Sequence, residues 1–112
     1  MEERIIKIGD VVLELHRKED HDVLEIRLDK PIEPETLRDI NASEHFASLL
    51  KEAKGDLLVI SGRAPIWLYA YLVHEFVHLY KAIAVYDPKI GGAVVVASHT
   101  SKFSPGEVIY DG

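Results

Sequence analysis

Four consecutive aliphatic residues, Leu57-Leu58-Val59-Ile60, run directly into Ser61-Gly62-Arg63-Ala64-Pro65, and a long apolar stretch follows. An unbroken apolar run of this length predicts a strand covered on both faces, as in a parallel sheet. Pro65 then suits the first position of a helix, because proline lacks an N–H that the first turn leaves unpaired anyway. The helix is expected to run about sixteen residues from there. Ala82 to Tyr86 and Ala93 to Ala97 are further continuous apolar runs. Strand, helix and strand at this spacing predict a right-handed crossover between parallel strands.

The first third of the chain reads differently. Leu24, Ile26 and Leu28 alternate with Glu25, Arg27 and Asp29. Val11, Leu13 and Leu15 alternate in the same way with Glu14 and His16, and Ile5 to Ile8 precedes a turn at Gly9-Asp10. Period-2 alternation predicts antiparallel strands with one wet face. The polar run Arg17 to Asp22 is expected to be an exposed hairpin loop. Leu37, Ile40, Ala47, Leu50 and Ala53 recur at helical spacing between Pro34 and Gly55, so one helix is expected over about 34 to 53. The expected fold class is α/β: a Rossmann-like core, a mixed sheet with N-terminal antiparallel strands, and two helices, in a single domain over 1–112.

Composition narrows the function. The chain has 112 residues, no cysteine and a formal net charge of -6. Without cysteine there is no disulfide framework, thiolate zinc site, iron–sulfur cluster or cysteine nucleophile. An acidic balance argues against the spread basic surface of a general nucleic-acid coat protein, and duplex DNA is not an expected partner. The most apolar stretch, Ala64 to Tyr86, carries His74, Glu75, His78 and Lys81, so no membrane span is expected. Met1 to Lys7 does not read as a secretory signal, and a cytoplasmic protein is expected.

A small anionic ligand in one local pocket stays open. Ser61-Gly62-Arg63 joins a buried strand to a helix N-terminus, where free backbone N–H groups and the positive end of the helix dipole converge. Gly62 would let the backbone approach a ligand, Ser61 adds a hydroxyl, and Arg63 a planar cation suited to phosphate. The plainer reading is a strand-to-helix turn in which serine caps, glycine bends and arginine is solvated. Asp87-Pro88-Lys89 follows the next strand and is expected at the same carboxyl edge, the edge at which open α/β sheets bind ligands. Asp87 could bind a metal or act as base and Lys89 could neutralise phosphate, or Asp87 and Pro88 merely shape a turn.

His74-Glu75-Phe76-Val77-His78 matches the zinc-protease pattern of two histidines four apart on one helix face. No further ligand motif follows, and the downstream chain reads as strands, so a peptidase is not favoured over a histidine pair at the helix's polar edge. His99 ends the run after Ala93, within a polar segment that could join the rim. Trp67, Tyr69 and Tyr71 could stack on bases, but core packing or a dimer contact is the simpler reading. His16, His21 and His45 lie in polar surroundings and are expected to face solvent.

Four blocks stand together in order: residues 61–74 (SGRAPIWLYAYLVH), His78, residues 84–89 (AVYDPK) and residues 93–99 (AVVVASH). This pattern resembles the Csx-three family of small CRISPR-associated accessory proteins of type III systems, over roughly residues 55 to 110. The resemblance implies a Rossmann-like CRISPR-associated fold and a dimer. It implies binding of short adenine-rich RNA and manganese-dependent phosphodiesterase cleavage of cyclic tetra-adenylate, a ring nuclease step that switches antiviral signalling off. The family's catalytic positions fall on His78, Asp87 and Lys89, with His78 and Asp87 as metal ligands. Its ligand-binding positions fall on Ser61, Gly62, Arg63, Pro88 and His99. Lys89 stands where the family usually has arginine, which keeps the charge and loses the bidentate fork.

The resemblance carries a geometric consequence. His78 lies thirteen residues after Pro65, about 20 Å along a helix axis. It is therefore expected near the opposite sheet edge from Ser61 and Asp87. A shared site would need dimers stacked head to tail as a tetramer around the ligand, with Ser61, Arg63 and Lys89 from one dimer and His78 from another. A binding module without turnover is the alternative.

Overall fold

The computed structural model describes residues 3–110. Its first strands, β1 (Glu3–Ile8), β2 (Val11–Arg17) and β3 (Asp22–Leu28), form an antiparallel meander. The expected alternation is present: Leu24 and Ile26 are buried, whereas Arg27 is exposed. Asp22 is not part of an exposed loop. It begins β3 and is the one buried charged residue among those described.

Two helices, α1 (Thr36–Asn41) and α2 (Glu44–Glu52), replace the single one expected over 34–53. Ser43 makes the break. Its backbone is extended, and its Oγ accepts the Phe46 N–H at 3.1 Å. A serine held this way starts a new helix and satisfies an otherwise unpaired donor. The restart shifts the helical phase, so Phe46 and Leu49 enter the core while Ala47 is exposed. Pro34 lies in the turn before α1.

The second half holds β4 (Gly55–Gly62), α3 (Ile66–Phe76), β5 (Tyr80–Asp87), β6 (Gly92–Ser98) and β7 (Val108–Ile109). β4 is parallel to both β3 and β5, as the crossover pattern predicts. The helix is shorter than expected, 11 residues, and ends at Phe76. β6 corrects the parallel reading of Ala93 to Ala97, because it is antiparallel to β5. Its apolar run has another cause. The segment after β6 folds back so that Phe103 and Ile109 cover Leu57, Val59, Ala82, Ala84, Ala93 and Val95 on the face away from the helices.

The seven strands lie in chain order, and four of the six pairings are antiparallel. The result is a mixed α/β fold with three helices. All three helices contribute to one core: Ile40, Phe46, Leu49, Leu68, Leu72 and Phe76 pack with Leu24, Ile26, Leu58, Ile60 and Ile83. Both crossovers step the same way along the sheet, which places their helices on one face. A doubly wound sheet reverses its strand order and opens a crevice at the reversal. This sheet has no reversal, so its likeness to such a fold is confined to the two parallel crossovers, β3–α1–α2–β4 and β4–α3–β5.

Candidate functional site

The sequence-predicted residues divide between the two ends of the sheet. At the carboxyl edge, Ile60 lies in register with Val85, so Ser61–Arg63 and Asp87–Lys89 leave from the same side. Ser61, Gly62 and Asp87 each have a local partner there. Gly62 has φ +117, and a Cβ added to it would meet the Ile26 carbonyl oxygen at 2.2 Å. Close approach to the neighbouring strand therefore requires this glycine. Tyr69 donates its hydroxyl to the Gly62 carbonyl at 2.6 Å. Burial, then the nearby Glu25 charge, push that phenol up to about 12.

Ser61 does not cap α3. Its Oγ donates to Glu25 Oε1 at 2.9 Å, and no side chain caps the helix at Pro65. Ser61 and Glu25 line a cavity of about 870 Å³ on the helix-free face, with Val59 and Tyr86. Arg63 is exposed beside a groove of about 620 Å³ that also holds Arg27 and Lys30, and against them Glu14, Glu25 and Asp29. Asp87 closes the β5–β6 hairpin: its Oδ1 accepts the Lys89 N–H at 2.9 Å, and its carbonyl accepts those of Ile90 and Gly91. Pro88 and Lys89 are exposed on this turn.

The amino edge holds the histidines. His78 is not on α3 but in the turn after it, so His74 and His78 do not share a helix face. His74 is exposed and lies 3.4 Å from Glu75. His78 is exposed and stacks on His99, with ring centroids 6.0 Å apart and planes 17° from parallel. His99 is thus absent from the carboxyl-edge rim. Because β6 runs antiparallel to β5, its end returns to where β5 begins, and the His99 N–H bonds the Lys81 carbonyl at 2.7 Å. Its Nε2 donates to the Val77 carbonyl at 3.0 Å. That bond occupies one of the acceptors a helix end leaves free, where no Gly or Pro marks the stop. Lys54, Asp56, His78, Lys81 and His99 line a cavity of about 700 Å³.

Beneath this edge lies a pair that the sequence did not signal. Tyr80 donates its hydroxyl to buried Asp22 Oδ2 at 2.6 Å, and Arg17 lies 3.5 Å from the same oxygen. Burial, with the bond to Asp22, holds the Tyr80 phenol well above its ordinary range. His16 and His21 also differ from expectation, since neither faces solvent freely. His16 sits between Glu3 at 2.9 Å and Glu14 at 3.1 Å, and His21 lies 2.8 Å from Asp20. Tyr71 packs against the core and bonds Asn41.

His78 and Asp87 are set before and at the end of β5, whose eight residues span about 23 Å. One protomer therefore cannot bring both to one manganese ion. Among the described residues no three His, Asp or Glu side chains converge as a metal donor set.

A family model described as CRISPR-associated protein (Cas_csx3) matches residues 25–110, from β3 through β7 and so through both sheet edges. A protein of Aquifex aeolicus (strain VF5), carrying only the name "Uncharacterized protein", is 39% identical over 108 residues, covering 94% of each chain. The four sequence blocks thus sit within a match spanning most of the chain, and the protein belongs to the Cas_csx3 family of CRISPR-associated proteins.

Proposed function

We propose that this protein is a type III CRISPR accessory ring nuclease, a phosphodiesterase that opens cyclic tetra-adenylate and so switches off antiviral signalling in the cytoplasm. Short adenine-rich RNA is the lesser substrate. The observation that carries the reading is the family match across both edges, with the exposed cations Arg63 and Lys89 at one end and exposed His78 at the other. The working unit is a stack of dimers around the ligand. Arg63 and Lys89 of one protomer neutralise phosphate, and His78 of a facing protomer reaches the same phosphodiester.

At that phosphate the attacking oxygen gives up its proton to solvent and forms a new P–O bond, and the P–O5′ bond breaks. His78 supplies the proton that the departing 5′-oxygen requires. The attacker is the ribose 2′-hydroxyl or water, and the product terminus distinguishes them: internal attack leaves a cyclic 2′,3′-phosphate. Manganese dependence remains part of the proposal only through donors from more than one protomer.

The second reading is a non-catalytic sensor that holds the messenger or RNA. The engagement of Asp87 in its own hairpin turn favours it. A mixing assay separates the two. His78→Ala and Lys89→Ala proteins, each inactive on cyclic tetra-adenylate with manganese, recover activity when combined if the site is shared. Absence of recovery overturns the shared site, and intact ligand after excess wild-type protein overturns the enzyme.

A further inference from the structure

The amino-edge cavity carries a cation that the family blocks do not include. Four of its lining residues, Lys54, His78, Lys81 and His99, are basic, and one, Asp56, is acidic. Asp56 is already shared, with Lys81 at 3.4 Å and Lys102 at 3.6 Å. Lys54 has no carboxylate partner among the described residues. With Asp56 engaged by two lysines, Lys54 is left as a cation without a carboxylate in a chain of net charge -6.

The backbone next to Lys54 is held in place. Lys54 precedes Gly55, whose N–H bonds the Leu79 carbonyl at 3.4 Å, in the turn that carries His78. A Cβ at Gly55 would lie 3.2 Å from the Tyr80 ring, so the strand start is packed directly against the start of β5. Tyr80 is itself fixed by its bond to buried Asp22. The backbone under Lys54 and the backbone under His78 are therefore one hydrogen-bonded unit.

We propose that Lys54 is a phosphate-binding residue of the ring nuclease site, delivered to the ligand with His78 by the facing protomer. This rests on the function proposed above and adds to it a second cation from the amino edge. The phosphodiester meets Arg63 and Lys89 on one side and Lys54 on the other, while Lys81 stays committed to Asp56.

The test is binding of cyclic tetra-adenylate across a salt series, by wild type, Lys54→Gln, Lys54→Arg and Arg38→Gln. Arg38 is exposed on α1, has no carboxylate partner among the described residues and lines neither the amino-edge cavity nor the Arg63 groove, so its variant controls for net charge. Each lysine contact to a single-stranded phosphate contributes about 0.7 to the slope of log affinity against log salt. Lys54→Gln should lower that slope by about 0.7 and weaken binding several-fold, with Lys54→Arg close to wild type. If wild type binds and Lys54→Gln matches Arg38→Gln, the Lys54 assignment falls and the function stands. If wild type neither binds nor cleaves, the function falls, and the assignment with it.

Discussion

Gly62→Ala separates two readings of one residue. On sequence, Gly62 brings the backbone close to a ligand. In the structure it brings the end of β4 close to Ile26 of β3, at φ +117. An alanine Cβ there would lie 2.2 Å from the Ile26 oxygen, 2.9 Å from its nitrogen and 3.0 Å from its carbonyl carbon. All three are backbone atoms of a paired strand, so no side-chain rotation relieves the contact. The unfavourable dihedral costs about 1–3 kcal/mol. Forcing extra volume into packed structure costs a comparable amount. A combined loss of about 3 kcal/mol corresponds to a fall of about 12 °C in Tm at roughly 4 °C per kcal/mol. The assay is thermal unfolding by circular dichroism, with ligand binding measured in parallel on the folded fraction. A Gly62→Ala protein that melts with wild type yet loses cyclic tetra-adenylate would refute the strand-packing account and restore the ligand account.

Three further outcomes follow from buried or capping groups. Tyr80→Phe removes the short bond to Asp22 and leaves a buried carboxylate facing only Arg17 at 3.5 Å, which should cost about 1–3 kcal/mol in denaturant unfolding. Ser43→Ala removes the cap that starts α2 and should cost about 1 kcal/mol, with a loss of helical ellipticity and little change in the sheet signal. In alkali, the folded protein holds the Tyr69 proton up to about 12, whereas an unfolded tyrosine releases it near 10. The contribution is complete below pH 10 and is lost as pH rises toward 12, so stability should fall across that window. Phenolate absorbance of the native protein should lag that of the denatured chain. Coincident titration curves would contradict the burial of Tyr69.

Periodicity made the amino half legible, because a one-sided sheet writes its burial directly into alternation: Leu24 and Ile26 inward, Glu25 and Arg27 outward. It misled where two causes produce one pattern. The apolar run in β6 reads like a strand buried under helices, yet its second cover is the returning segment with Phe103 and Ile109. A single helical phase over 34–53 concealed the restart at Ser43, although a cap residue followed by Glu44 was its visible signal. For the candidate site, helix length was enough to set His78 at the opposite end of the sheet from Ser61 and Asp87. His99 was misplaced because strand direction was misread, and a short hairpin between Tyr86 and Ala93 argues for antiparallel pairing. The Asp22–Tyr80 bond joins residues 58 apart in the chain, and no local pattern encodes such a meeting.

The chain-order sheet bears on how the molecule is made. Every strand docks on the one synthesised just before it, so no edge must wait for a distant partner to emerge from the ribosome. Loop-closure entropy is met in small instalments, first across the tight hairpins and then across two helical connections. The nascent chain can therefore zip from its amino end as it is translated, and the exposed edge at each stage is the one the next strand covers.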